Sequence, residues 1–367
     1  MTASSPRRPS LPRRTRVLFA TITIALTIIL LFVMLLAVDI YLHGKYQRSA
    51  GVNVWGYRGP VAARKGPGEF RVAVFGGSTA FGYGVTWEES FPAVLERRLD
   101  ARAPGAYKVV NLAYNNEGAY SFTFTMKDYA SLNYDMACLY EGYNDLMGDP
   151  RKPNLSVFRH ESPIFRLTGY LPIFPIVFKE KAAAMLHGGD VGALYREDKR
   201  TVFRPGLAQR TTAEVLTAAA EVEESLERQL GRVTGESRRQ IVDAAATGCK
   251  YPWQEYCHSI LDAVQYSLTN GKRVLVATQP YEASPSLRAR HMEQQSEMAA
   301  MLVRRFGDDL RVGYVNLGDL IDVTDPSLSF DHMHLTATGN IRLAESLVAP
   351  VVTMAARRST AGGRVER

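Results

Sequence analysis

Between Arg16 and Asp39 the chain runs for 22 residues, VLFATITIALTIILLFVMLLAV, without a charge. As a helix this run rises about 33 Å, enough to cross a hydrocarbon layer of about 30 Å. It is longer than the apolar core of a secretory leader, about 7–15 residues, and no small-x-small pattern closes it. A retained signal anchor over residues 17–41 is therefore the expectation, with a cleaved leader as the alternative. Arg7, Arg8, Arg13, Arg14 and Arg16 precede the run, and only His43, Lys45 and Arg48 follow closely. The positive-inside bias then keeps residues 1–16 in the cytoplasm and places everything after Tyr41 in the periplasm or outside the cell.

The net charge of +7 belongs to the ends. Residues 1–16 hold five Arg and no acid, and residues 357–367 hold four Arg and one Glu, which leaves the body between them at −1. A body of that charge cannot track a phosphate backbone, so nucleic acid is excluded as a partner. With 367 residues, 46% of them hydrophobic, the chain has material for one globular domain beyond its anchor.

The chain contains three cysteines. Cys249 and Cys257, eight apart in a polar stretch, fit a small disulfide loop in an oxidising compartment, with two free thiols as the alternative. Cys138 lies in the apolar MACLY and reads as a buried strand thiol. Neither a CxxC pair nor HExxH occurs, so no metal or organic cofactor is expected.

Residues 42–68 read as a Gly-, Pro- and Lys/Arg-rich connector carrying NVWGYRGP at 53–60. Strand and helix signals then alternate. FRVAVFG (70–76), YKVVNLA (107–113), MACLYEG (136–142), KRVLVATQP (272–280) and LRVGYVNL (310–317) read as strands, with helical spacing at 91–103, after Ser286 and from Ala337. Such alternation implies a mostly parallel sheet covered on both faces over residues 69–356, with sites beyond the carboxyl ends of the strands. The rhythm breaks over 148–268, read as a helical insert. Its apolar part, 162–186, is interrupted by Pro172 and Pro175 and suits packing on the body, a cleft wall, or a membrane or protein partner. Thr211 and Glu214 form a candidate capping box for a long helix in the insert, and 357–367 is a basic tail.

Three polar turns carry the chemistry. In VFGGSTAFGYGV (74–85), glycines allow a tight turn that leaves the Ser78 hydroxyl exposed beside backbone N–H groups. EGYND (141–145) follows the third strand, and SFDHMHLTATGN (329–340) places Asp331 and His334 three apart. A hydroxyl needs a base and the base an orienting acid, and Ser78, His334 and Asp331 supply all three. His332 is the alternative base. Glu141 reads as a rim residue, Asp145 as holding its turn, and Tyr83, Tyr143 and Tyr281 as cleft-lining or packing aromatics.

Over about 65–150 and 270–350 the sequence resembles the SGNH or GDSL-type hydrolases, including membrane-anchored bacterial members with an approach sequence like NVWGYRG. GGST matches the nucleophile block, Gly142-x-Asn144-Asp145 the third block and Asp331-x-x-His334 the last. The resemblance implies a flavodoxin-like three-layer α/β/α sandwich, with Ser78 as nucleophile, His334 as base and Asp331 as its orienter. It also implies an oxyanion hole from the Ser78 and Gly118 N–H groups and the Asn144 amide. The second block departs from the family pattern. Its glycine is expected five residues after the strand Asn, at Asn116, whereas Gly118 stands seven after Asn111. Gly118 is the expected donor and Asn116 the fallback.

The implied activity is hydrolysis of O-acyl esters of an envelope carbohydrate or lipid through an acyl-enzyme. An O-acyltransferase acting on an exported glycan, or a non-catalytic membrane-associated interaction module, are the alternatives.

Overall fold

The computed structural model of the chain describes residues 12–49, 51–146, 158–178, 182 and 247–357. Five strands, β1 (Phe70–Gly76), β2 (Tyr107–Asn111), β3 (Met136–Tyr140), β4 (Arg273–Ala277) and β5 (Val312–Val315), form one all-parallel sheet in the order β2-β1-β3-β4-β5. Val74 of β1 stands opposite Asn111 of β2 and Cys138 of β3, and Leu139 of β3 opposite Val276 of β4. The central strands are buried nearly throughout, as near-continuous apolar runs covered on both faces require. The flavodoxin-like order matches the expected α/β architecture.

The helices, numbered in chain order, are α1 (Arg13–Tyr46), α2 (Ser78–Phe81), α3 (Phe91–Asp100), α4 (Phe122–Asp128), α5 (Tyr143–Leu146), α6 (Phe158–Glu161), α7 (Pro163–Thr168), α8 (Gln254–Thr269), α9 (Pro285–Phe306) and α10 (Ala337–Ala356). Helices α3 and α10 pack together, and α8 packs against α4, α9 and β4. The expected insert therefore ends too late at 268. Helix α8 buries Tyr256, Cys257, Ile260, Leu261 and Val264 and is the crossover helix that brings the chain back to β4. The Thr211–Glu214 capping box and most of the basic tail lie outside the described residues. Cys249 and Cys257 form the expected disulfide, with Cα atoms 6.5 Å apart, and Cys138 is fully buried.

Helix α1 is long and apolar enough to cross a membrane, with mean hydropathy 2.9 over its best window. The helix runs on to Tyr46, into the segment expected as connector. Asp39, Leu42 and His43 are buried in the body. Asp39 accepts from the Ile173 N–H (2.8 Å), the Phe174 N–H (2.6 Å) and the Tyr170 hydroxyl. Each His43 ring nitrogen lies 2.9 Å from a carbonyl oxygen, of Val52 and of Leu171. A carbonyl has no proton to give, so both ring nitrogens donate and the ring is cationic beside Asp39. Several apolar residues of 162–178 pack on the body: Phe165, Leu171, Ile173 and Phe174 are buried, whereas Leu167 is 63% exposed. The packing role expected for this segment therefore holds for those four residues.

The connector is ordered by its own polar groups. Asn53 donates through Nδ2 to Gly59 O (3.0 Å) and accepts from the Trp55 N–H (3.0 Å). Arg58 donates to Ser49 O (2.7 Å), Gly51 O (3.0 Å) and Val85 O (2.8 Å), joining the turn after α1 to the loop that follows α2.

Removing one member of a buried ionic cluster costs about 3–5 kcal/mol, which in a domain of this size is roughly 10 °C. Asp39→Ala should lower the thermal unfolding midpoint of the detergent-solubilised full chain by about that much. An unchanged midpoint would mean that the end of α1 is a tether rather than part of the domain.

Candidate active site

Strand β1 ends at Gly76, and Ser78 opens α2 immediately beyond it. Gly77 is obligatory there, because a Cβ would strike the Asn144 amide nitrogen and the Glu141 carboxylate. Asn111, at the end of β2, holds α2 from below. Its Nδ2 donates to Ala80 O (2.9 Å), and its Oδ1 accepts from the Ala113 N–H (3.1 Å).

His334 and Asp331 reach the same place from the loop before α10. His334 Nε2 lies 2.8 Å from Ser78 Oγ, and its Nδ1 lies 2.6 Å from Asp331 Oδ2. The other carboxylate oxygen of Asp331 accepts from the His334 N–H (2.7 Å) and the Met333 N–H (3.1 Å), so the acid is fixed before it orients the ring. Burial raises the Asp331 pKa, but the hydrogen bonds and charge of His334 outweigh it and hold the carboxyl below its ordinary value. In this geometry the Nδ1 proton faces Asp331, which leaves Nε2 to take a proton from Ser78.

The two histidines separate as a turn requires. His332 has φ 66°, and its Nδ1 lies 3.2 Å from Val323 O, away from the nucleophile. The site rim is aromatic. Tyr83, 51% exposed, places its ring 4.8 Å from the His334 ring, and Phe330, 48% exposed, stacks at 5.9 Å. Gly84, at φ +84°, makes room for the Phe330 ring, which a Cβ would strike. Tyr143 and Tyr281 do not join this rim. Both are buried, and both pack against His291.

Asn144 sits on α5, beyond β3, and donates through Nδ2 to the Glu117 carbonyl (2.9 Å). The structure thus brings the Asn144 amide to the peptide that precedes Gly118. Asn116, the alternative position, carries the left-handed φ of 61°. Asp145, expected to hold its own turn, instead accepts from the Ala119 N–H (2.9 Å) and ties that turn to the segment after Gly118.

Glu141 is not a rim residue. It is buried, with Oε1 accepting from the Gly142 N–H (3.0 Å) and the Asn144 N–H (3.3 Å). Burial, then the nearby Asp145, push its pKa up to about 8, and burial pushes Asp145 up to about 7. A protonated Glu141 beside Gly77 puts no negative charge against one that develops at the Ser78 turn.

Sequence reading missed a polar layer behind the site. Gln279, fully buried just after β4, donates to Thr79 Oγ1 (2.7 Å) and accepts from the Tyr143 N–H (2.7 Å), so one side chain spans the residues beside Ser78 and Asn144. Gln295 donates to Gln279 O (3.0 Å) and meets His291 Nε2 at 2.6 Å. Burial, then Arg288, push the His291 pKa down to about 4, so its neutral ring accepts that bond. The available signal was the helical spacing of His291, Gln294 and Gln295 on one face of α9.

No protein-family model matches the chain, and no curated protein does. Solved structures do. A member of the lipolytic protein G-D-S-L family from Veillonella parvula is 9% identical, with 76% of this chain and 97% of that one covered at a TM-score of 0.40. A carbohydrate acetylesterase from Sinorhizobium meliloti is 14% identical over 78% and 100%, at 0.37. A variant of an acetyl xylan esterase from Geobacillus stearothermophilus is 10% identical over 81% and 97%, at 0.40.

Unfolded, the Glu141 and Asp145 carboxyls ionise in the ordinary range, whereas folded they keep protons to about 8 and 7. The native state therefore binds more protons between about pH 4 and 8, and this part of its stability is lost as pH rises through that window. The unfolding midpoint of Glu141→Gln should fall less between pH 5.5 and pH 8.5 than that of the parent. Equal slopes would show that Glu141 is already ionised at low pH.

Proposed function

We propose that the chain is an SGNH-type serine esterase, fastened to a membrane by α1, that hydrolyses carboxylic O-acyl esters outside the cytoplasm. The observation that carries this reading is the unbroken relay from Ser78 Oγ to His334 Nε2 (2.8 Å) and from His334 Nδ1 to Asp331 (2.6 Å). His334 takes the Ser78 proton as the hydroxyl attacks the ester carbonyl, and Asp331 stabilises the imidazolium that forms. The Ser78 and Gly118 N–H groups and the second Asn144 amide proton stabilise the oxyanion. His334 then protonates the leaving alkoxide, and a water activated by the same ring cleaves the acyl-enzyme.

The span, the arginines before it and the disulfide all favour a catalytic domain on the oxidising side of the membrane. The substrate is then an acylated carbohydrate or lipid of the envelope, its acyl group meeting the Tyr83 and Phe330 rim.

Full-length protein in detergent should hydrolyse p-nitrophenyl acetate or butyrate, and Ser78→Ala should reduce this to background. Asn144→Ala should lower kcat by about 10²–10³, as loss of one oxyanion donor does. A folded parent without turnover, or a Ser78→Ala protein that keeps it, would remove the esterase reading.

A further inference from the structure

The loop from Leu112 to Gly118 carries the peptide that Asn144 grips and the N–H of Gly118. The Leu112 N–H donates to Val74 O (2.8 Å) and the Tyr114 N–H to Gly76 O (3.0 Å), which tie its start to β1. Its far end, at Glu117, is reached by side chains from other segments.

We infer that Arg159 is the positioning residue of this oxyanion loop, and that through it the membrane-proximal layer of the chain sets the geometry of the site; this rests on the esterase reading above. Arg159 lies on α6 and is 1% exposed. Its guanidinium donates to Leu112 O (2.8 Å) at the start of the loop and to Glu117 Oε2 (3.2 Å) at its end, and lies over the Tyr114 ring at 5.1 Å between them. Nη2 makes both loop contacts while Nη1 donates to the connector at Gly56 O, so the two-nitrogen fork joins loop and connector, which the single nitrogen of a lysine cannot do. The Glu117 carbonyl, in turn, accepts from the Asn144 amide.

The other side of the same guanidinium faces the connector. It donates to Gly56 O (3.2 Å) and lies over the Tyr129 ring at 5.3 Å, whose hydroxyl donates to Trp55 O (2.6 Å). The Leu171 N–H donates to Val54 O (3.1 Å), and the Leu171 carbonyl accepts a hydrogen bond from His43 Nε2 (2.9 Å) at the end of α1. A run of hydrogen bonds, linked through the Arg159–Tyr129 ring contact, therefore joins the end of α1 to the peptide beside Asn144.

The test is steady-state hydrolysis of p-nitrophenyl acetate by full-length protein in detergent, comparing Arg159→Lys and Glu117→Gln, each alone and with Asn144→Ala, and with thermal unfolding as the check on folding. Glu117→Gln keeps the guanidinium and serves where Arg159→Lys does not fold. The expected result is a kcat lower by about tenfold or more with KM within about twofold, and a loss below about twofold when Asn144 is already Ala. Residues that act through one oxyanion hole are non-additive, whereas a general packing role gives the same fold-loss in both backgrounds. Folded variants with the parent's kcat, or equal losses in the two backgrounds, would overturn the inference while leaving the esterase reading intact. A parent without Ser78-dependent turnover would remove that reading and this inference with it.

Discussion

The site depends on the parallel register of β1 with β2 on one side and β3 on the other. All three strands end at the same edge of the sheet, so the turns that follow them, carrying Ser78, the Leu112–Gly118 loop and Asn144, are delivered to one place. The loop before α10 arrives from the far end of the chain and adds Asp331 and His334. The hydrophobic core fixes the sheet, and the sheet brings together groups that are 256 residues apart in sequence.

Around this edge the chain buries polar groups in pairs and layers rather than singly. Arg159 meets Glu117, His43 meets Asp39, and Gln279 spans Thr79 and Tyr143. Desolvated groups of this kind contribute little net stability but tolerate few alternative arrangements. That trade suits a nucleophile and its donors, which a shift of about 1 Å disables. It also makes the end of α1 part of the folded body, since Asp39 and His43 there share bonds with the segments that carry Val52, Leu171 and Phe174.

Short-range patterns were legible. FRVAVFG marks β1 to the residue, the spacing of Asp331 and His334 returns as a hydrogen-bonded pair, and the Cys249–Cys257 bridge follows from proximity in the chain. Groups whose meaning depends on distant partners were not. Arg159 reads as one charge in a broken stretch until Glu117 is placed opposite it, and Asp39 reads as the polar end of a span until Ile173 and Phe174 cap it. Helix α8 was assigned to the insert because amphipathic spacing says which face is buried but not against what. Glu141 reads as a rim residue because a polar turn is normally exposed, whereas here the segment after β4 and helix α9 close over that turn.

The central claim is that Ser78 is an activated nucleophile. Treating the full-length protein with a p-nitrophenyl phosphonate ester and mapping the adduct by mass spectrometry tests it most directly, since phosphonylation needs the hydroxyl, its base and the oxyanion donors together. The account predicts a single covalent phosphonyl group on Ser78, formed at a rate that collapses in His334→Ala. An adduct on another residue, or a folded protein left unmodified, would contradict it.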